Sequence, residues 1–310
     1  MLQGKDLLSI HDLTVEEIEE ILDLARVLKA KLRGGSEHQL LKGKTLGLIF
    51  EKASTRTRVS FEAGMYQLGG QAMFLSHRDL QLGRGEPIQD TARVLSRYVD
   101  GIMLRTFGHD KMVEFAQWAT VPVINGLTDL LHPCQALTDL LTIREYCGKN
   151  LRGLKLAYVG DGNNMAHSLM YACAKMGIDF TIATPEGYEP DPQVVQTARS
   201  DAQKLGTFIS LTHDAAEAVK EADILYTDTW VSMGKEEEAD KRRHDFAGYQ
   251  VNHALLQLAA KRAIVMHCLP AHRGEEITAD VFEEYAAIIF EQSENRLHTQ
   301  KAILALTMGA

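Results

Sequence analysis

The sequence predicts an α/β chain built as two doubly wound parallel-sheet domains linked by interdomain helices. Three observations carry this. The chain has 310 residues, more than one hydrophobic core comfortably serves. Short apolar runs alternate with amphipathic stretches in two successive series, the pattern of parallel α/β layers. The residues that carry chemistry stand just after apolar runs, and open parallel sheets bind ligands outside the carboxyl ends of their strands.

The first helix is set by Thr14 and Glu17, a capping-box pair, followed by Ile18, Ile21, Leu22, Ala25 and Leu28 at helical spacing. Strands are expected at residues 45–50, 71–75, 101–106 and 121–124. Pro87 suits the first turn of a helix carrying Ala92, Val94, Leu95 and Tyr98. A long helix over residues 133–146 then leads through Gly148 and Gly153 into the second series. Its strands are expected at 154–159, 180–183, 208–211, 222–227, 263–268 and 287–290, and Glu294-Asn295-Arg296 is expected to open a last helix.

With 45% hydrophobic and 24% charged residues the composition is that of a globular protein. A net charge of -9 argues against nucleic acid or an anionic membrane surface as main partner, and leaves room for a local cationic pocket. The first residues lack a secretory pattern, and no apolar run is long enough to span a bilayer. Cys134, Cys147, Cys173 and Cys268 are widely spaced without C-x-x-C. They suit a reducing cytoplasm rather than a disulfide framework, and no ligand-spaced motif calls for a metal or cofactor.

Ser54-Thr55-Arg56-Thr57-Arg58 follows the first strand and opens a helix. Hydroxyls, arginine and free backbone N–H groups at a helix start suit phosphate. The same run also reads as a capped surface helix. Arg105 ends an apolar run, which by itself is an ordinary strand terminus. His132-Pro133-Cys134-Gln135 begins the long helix, where imidazole and amide are able to donate to a carbonyl oxygen.

In the second series Gly160-Asp161-Gly162-Asn163-Asn164 imitates the start of a dinucleotide turn, but Met165 replaces the third glycine. The next strand ends in Ala183-Thr184-Pro185, without an acid for a ribose. Asp228-Thr229-Trp230-Val231-Ser232-Met233-Gly234 follows another strand. It offers a carboxylate for an ammonium, and backbone N–H groups with a hydroxyl for a carboxylate, although an aspartate alone also caps loops. Cys268, in His267-Cys268-Leu269-Pro270, reads equally as a small buried hydrophobe.

Taken in order and spacing, these motifs resemble the aspartate/ornithine carbamoyltransferase family over essentially the whole chain. The resemblance implies a carbamoyl phosphate-binding domain over 1–132 joined by a C-terminal helix 293–310, an interdomain helix at 133–150, and an ornithine-binding domain at 151–292. It implies carbamoyl phosphate contacts from Ser54, Thr55, Arg56, Thr57, Gln81, Arg105, His132, Pro133, Cys134, Gln135, Cys268, Leu269 and Arg296. Asn164, Asp228, Ser232 and Met233 match residues that bind ornithine in the ornithine-type form, of which His267-Cys268-Leu269-Pro270 is a signature. Arg105, His132, Asp228 and Cys268 would carry the chemistry. The resemblance further implies a homotrimer, or a multiple of trimers, with Gln81 reaching a neighbour's site. Domain closure is expected, with carbamoyl phosphate bound before ornithine. Other readings are a carbamoyltransferase for putrescine, lysine or an N-acylornithine, a silent binding protein, and a nicotinamide dehydrogenase.

Overall fold

The computed structural model describes residues 2–232 and 234–309. It divides into two compact units, Met1–Leu141 with Glu294–Ala310, and Thr142–Ser293. In chain order the elements of the first series are α1 (Val15–Arg33), β1 (Thr45–Phe50), α2 (Thr55–Gln67), β2 (Gln71–Ser76), α3 (Ile88–Leu95), β3 (Gly101–Arg105), α4 (His109–Trp118), β4 (Val123–Leu127) and α5 (Pro133–Cys147). The second series runs β5 (Lys155–Val159), α6 (Asn164–Met176), β6 (Asp179–Ala183), α7 (Pro192–Leu205), β7 (Ile209–Thr212), α8 (Ala215–Val219), β8 (Ile224–Thr227), α9 (Ala239–Asp245), α10 (His253–Leu256), β9 (Ile264–His267), α11 (Ala279–Glu284) and α12 (Ala286–Met308).

The first unit holds a parallel sheet of order β2-β1-β3-β4. Its strand order reverses between β1 and β3, and that switch point opens a crevice at their carboxyl ends. β1 is central and buried along all but its first residue, so its side chains are apolar on both faces. Ile49, Ile102, Leu104 and Val123 from the strands pack with Ala92 of α3 and with Met112 and Phe115 of α4. The chain start covers one edge: Leu7 donates to the Val123 carbonyl at 2.9 Å and accepts from Asn125 N–H at 2.9 Å, which occupies backbone groups of β4 that an edge would leave bare.

The second unit repeats the plan with order β7-β6-β5-β8-β9, again all parallel and reversing between β5 and β8. Val159, Leu225, Val265, Ile277, Val281 and Phe282 belong to one buried cluster. Both sheets therefore bear out the expected fold class.

Local expectations are met where a cap states the boundary. Thr14 and Glu17 form the full capping box on α1, and Ser54 caps α2 through Thr57 N–H. Three expectations change. Pro87 is the N-cap of α3 rather than part of its first turn, and the helix ends before Tyr98. Residues 287–290 are helical, the beginning of α12. A four-residue apolar run fits a buried helix turn as well as a strand, and no glycine or proline separates it from the helical pattern behind it. Glu294-Asn295-Arg296 consequently lies inside α12 and does not open it.

α12 is unusual for its buried polar residues: Asn295, His298, Thr299, Gln300 and Lys301 are each 0% exposed. Lys29 of α1 donates to Asn295 at 2.6 Å. Gly64 of α2 leaves room for the Lys301 stem, where a Cβ would stand 3.2 Å from its Cγ. Lys301 Nζ donates to Gln67 Oε1 at 2.8 Å and to His38 Nε2 at 3.1 Å. With neutral acceptors only, burial pushes this ammonium down to about 8 from 10.5. Between those values the unfolded chain binds the extra proton, so the folded state gains stability as pH rises. Lys301→Met should abolish that gain. Urea melts at pH 7.5 and pH 10 should show the parent improving relative to the variant at the higher pH; a constant difference would refute the assignment.

Candidate active site

In the first unit the side chains gather at the carboxyl ends of β1, β3 and β4. Ser54 Oγ accepts from Thr57 N–H at 3.3 Å and donates to Thr57 Oγ1 at 3.1 Å. Arg296 Nη2 donates to the same Thr57 oxygen at 2.9 Å. Thr57 thus accepts twice and keeps its own proton free to donate outward. Arg296 Nη1 donates to Gln135 Oε1 at 2.6 Å and approaches His132 Nε2 at 3.4 Å. Gln135 passes the chain on, donating through Nε2 to Asp139 at 2.8 Å.

Arg105 is buried and donates to the Lys52 carbonyl at 3.2 Å. Burial, and then the charges of Arg296 and Arg56, push its guanidinium down to about 9, so it remains protonated at neutral pH. Neither Arg56 nor Arg105 is paired with a carboxylate among the described residues. Burial, reinforced by Arg296, Arg105 and Arg56, holds His132 well below the usual imidazole range. His132 is therefore neutral, and with Nε2 turned to Arg296 its proton sits on Nδ1. Burial pushes the Cys134 thiol up to about 12, and its Sγ points to the Asn125 carbonyl at 3.4 Å. Only its backbone is left to face a ligand. Pro133 supplies the first residue of α5, and Thr55 that of α2. Gln81 lies in an exposed 3-10 turn, Gln81–Arg84, apart from this group.

In the second unit Asp228 follows β8. Its Oδ1 accepts from Thr229 N–H at 2.8 Å and from the Cys268 thiol at 3.0 Å, and its Oδ2 accepts from Asn163 Nδ2 at 2.9 Å. Asn163, the N-cap of α6, accepts from Met165 and Ala166 N–H. The adjoining Asn164, the residue singled out from the sequence, begins that helix. The loop carrying Ser232 is tethered by Arg242, which donates to the Trp230 carbonyl and to Asp161, both at 2.9 Å. Met233 lies outside the described residues.

Leu269 takes φ of 60°, a left-handed conformation that a branched side chain disfavours. It is held there by donating its N–H to His267 Nδ1 at 2.9 Å, while His267 Nε2 donates to Glu276 Oε1 at 2.9 Å. Asp228, His267 and Cys268 offer ligand atoms within 4.8 Å of one another. A cation there would have to displace the Leu269 or Glu276 bond to reach His267, and the Cys268 proton to reach sulfur.

Sequence reasoning missed Lys52, Asp139, Asn163 as the Asp228 partner, Arg242 and Glu276. Asp139 had a signal, since it stands one helical turn beyond Gln135 and on the same face. Lys52 is buried, ion-paired with Asp129, and lies over the Phe107 ring at 4.4 Å. Glu276 had no signal, because its link to His267 depends on how the loop returns.

Polar side chains thus collect at the strand ends of two parallel α/β units, a cationic cluster in one and a carboxylate–thiol pair in the other. Residues 5–145 match the model of the aspartate/ornithine carbamoyltransferase carbamoyl-P binding domain, and 152–307 match that family's Asp/Orn binding domain. Ornithine carbamoyltransferase of Anoxybacillus flavithermus is 59% identical, covering 98% of this chain and 96% of its own. The Pyrococcus furiosus ornithine carbamoyltransferase, described as anabolic, is 55% identical over 99% of this chain and 98% of its own. A solved structure of ornithine carbamoyltransferase from Pyrococcus furiosus superposes with a TM-score of 0.96 at 55% identity, covering 99% of this chain and 98% of that one. The chain belongs to the aspartate/ornithine carbamoyltransferase family.

The His132 assignment is checked by nitrogen-15 NMR of histidine-labelled protein. A neutral ring protonated at Nδ1, with no titration between pH 7 and pH 5.5, is expected; a midpoint near 6.5 would remove the coupling to the arginines.

Proposed function

We propose that the protein transfers the carbamoyl group of carbamoyl phosphate to the side-chain amine of L-ornithine, giving L-citrulline and phosphate on the route to arginine. The observation that carries this is the cluster of Arg56, Arg105 and Arg296 around neutral His132, in which Arg56 and Arg105 lack a carboxylate partner. Such a site is complete only with an anion, and the helix start at Ser54 adds N–H donors to it.

The donor is held on the first unit. Ser54, Thr55, Arg56 and Thr57 grip the phosphate, with Gln81 contributed by a neighbouring subunit. Arg105, His132 and the free Thr57 proton stabilise the oxyanion that forms when the amine attacks the carbamoyl carbon. His132, being neutral, acts as a hydrogen-bond donor and not as a general acid. Gln135 keeps an acceptor lone pair for the carbamoyl nitrogen, assisted by the backbone of Pro133, Cys134 and Leu269. Phosphate leaves beside Arg56 and Arg296.

The acceptor is held on the second unit. A free alkyl ammonium titrates at about 10, so it must lose a proton before it attacks. Asp228 orients the amine, and the hydrogen bond it accepts from the Cys268 thiol partly offsets the carboxylate charge that would otherwise hold the ammonium proton. Asn164, Ser232 and Met233 hold the other end of ornithine. The first proton passes to solvent as the amine binds; the second leaves the nitrogen once the C–N bond has formed and goes to the phosphate as its C–O bond breaks, so these groups need only position the amine.

Self-association as a trimer fits the exposed apolar residues Val59 and Tyr66 on α2 and Met73 and Phe74 on β2. The two elements meet there, with Arg58 lying 3.7 Å over the Phe74 ring. Four free thiols suit a reducing cytoplasm, and no described helix is long and apolar enough to cross a membrane.

An acceptor panel tests the reading: ornithine, putrescine, lysine, acetylornithine and aspartate with carbamoyl phosphate, followed by phosphate release and ureido product. Turnover with ornithine alone is expected. Preference for another amine would overturn the acceptor assignment, and no turnover at all would overturn the activity. Arg56→Ala should lower kcat/KM for carbamoyl phosphate by about 3 kcal/mol, roughly 100-fold; an unchanged rate would remove Arg56 from the phosphate site.

A further inference from the structure

Gln135 is 1% exposed, so both ends of its amide need partners within the protein. Its Oε1 faces Arg296 at 2.6 Å and its Nε2 faces Asp139 at 2.8 Å. Asp139 is 0% exposed, and in this contact its Oδ1 is the acceptor. Read together, the two contacts leave Gln135 a single orientation. Rotating the amide by half a turn would set its N–H groups against the Arg296 donors and its carbonyl against the Asp139 oxygens, and both pairs repel.

We propose that Asp139 is a positioning residue for the reaction: by accepting from Gln135 Nε2 it turns Gln135 Oε1 toward Arg296 and the carbamoyl nitrogen, so placement of the carbamoyl group depends on it more than phosphate affinity does, to which Ser54, Thr55 and Arg56 contribute independently. This rests on the carbamoyl-transfer reading above. The same contact joins Asp139, Gln135, Arg296 and Thr57 in one chain, so orientation set at Asp139 reaches the hydroxyl assigned to the oxyanion.

Charge and acceptor capacity separate in two substitutions. Asp139→Asn removes the charge and keeps an oxygen that accepts from Gln135. Asp139→Leu, of similar size, removes both. Steady-state rates with ornithine and carbamoyl phosphate would be read beside titration of each folded variant with inorganic phosphate. Asp139→Leu should lower kcat/KM for carbamoyl phosphate at least roughly tenfold, with phosphate affinity equal to or tighter than the parent's and KM for ornithine within about twofold. Asp139→Asn should recover most of the rate. In a Gln135→Ala background Asp139→Leu should cost no further activity, because the residue acts through an amide no longer present.

Equal losses for the two variants, a fall in phosphate affinity in step with the rate, or an undiminished cost in the Gln135→Ala background would each overturn the proposal. Should Asp139→Leu not fold, Asp139→Ala gives the same comparison with less bulk. A parent chain that binds phosphate but turns over no acceptor would defeat the carbamoyl-transfer reading itself, an outcome distinct from an active parent indifferent to Asp139.

Discussion

Positive charge gathered at the ends of β1, β3 and β4 is the constraint on which the rest of the first unit depends. Arg56, Arg105 and Arg296 act on one another and on His132, and no carboxylate pairs with Arg56 or Arg105 among the described residues. Such a gathering is costly, because Arg105 loses hydration on burial and is repelled by Arg296 and Arg56. The surroundings are arranged to bear that cost. Arg105 is tied to a backbone carbonyl, and Arg296 is spread over Thr57 and Gln135. His132 meets the field by staying neutral. An anion would relieve all three charges together, which is why the arrangement reads as a binding site and not as ordinary surface.

The second unit works by backbone control more than by charge. Asp228 is fixed by three donors from three separate segments: Thr229 beside it, Asn163 after β5, and Cys268 after β9. Leu269 next to that thiol holds a left-handed φ, and the His267–Glu276 pair keeps it there through one ring nitrogen. Strain at such a point persists only when its neighbours over-determine it. Glu276 is 0% exposed, so the bond to His267 forms out of water, where a single hydrogen bond holds geometry best.

Much of this was legible in the sequence, for reasons that differ from residue to residue. Ser54 and Thr14 announce helix starts because capping is local chemistry between residues three apart. Arg105, Asp228 and Cys268 stand out in the sequence because they end or follow apolar runs, and the structure places them at the carboxyl ends of strands, where parallel sheets bind ligands. The strand expected at 287–290 failed because a short apolar run has no period to read. Asn163 took the contact with Asp228 that attention to Asn164 had overlooked, because a helix cap points the first of the two amides back across the strand ends. Glu276 and Lys52 were hidden, since each acts through a partner brought close only by the folded loop.

The turn after β5 shows why a motif must be judged by what fills its space. Gly160-Asp161-Gly162 has the spacing of a dinucleotide turn, in which the second glycine lets the backbone approach a pyrophosphate. Here the Gly162 N–H donates to the Tyr188 carbonyl at 2.9 Å, and a Cβ at Gly162 would collide with the backbone of Tyr188 to Pro190. The close approach that the glycine permits is spent on the protein's own chain. Asp161, the residue between the glycines, is committed to Arg242, which also holds the Trp230 carbonyl. The same five residues that in another α/β protein would cradle a cofactor therefore anchor the loop carrying Ser232. The N-cap that would point N–H groups at phosphate is occupied by Asn163, whose amide reaches Asp228 instead. Identical spacing has a different outcome here because the side chains and the returning chain, rather than the glycines, decide what the turn can receive.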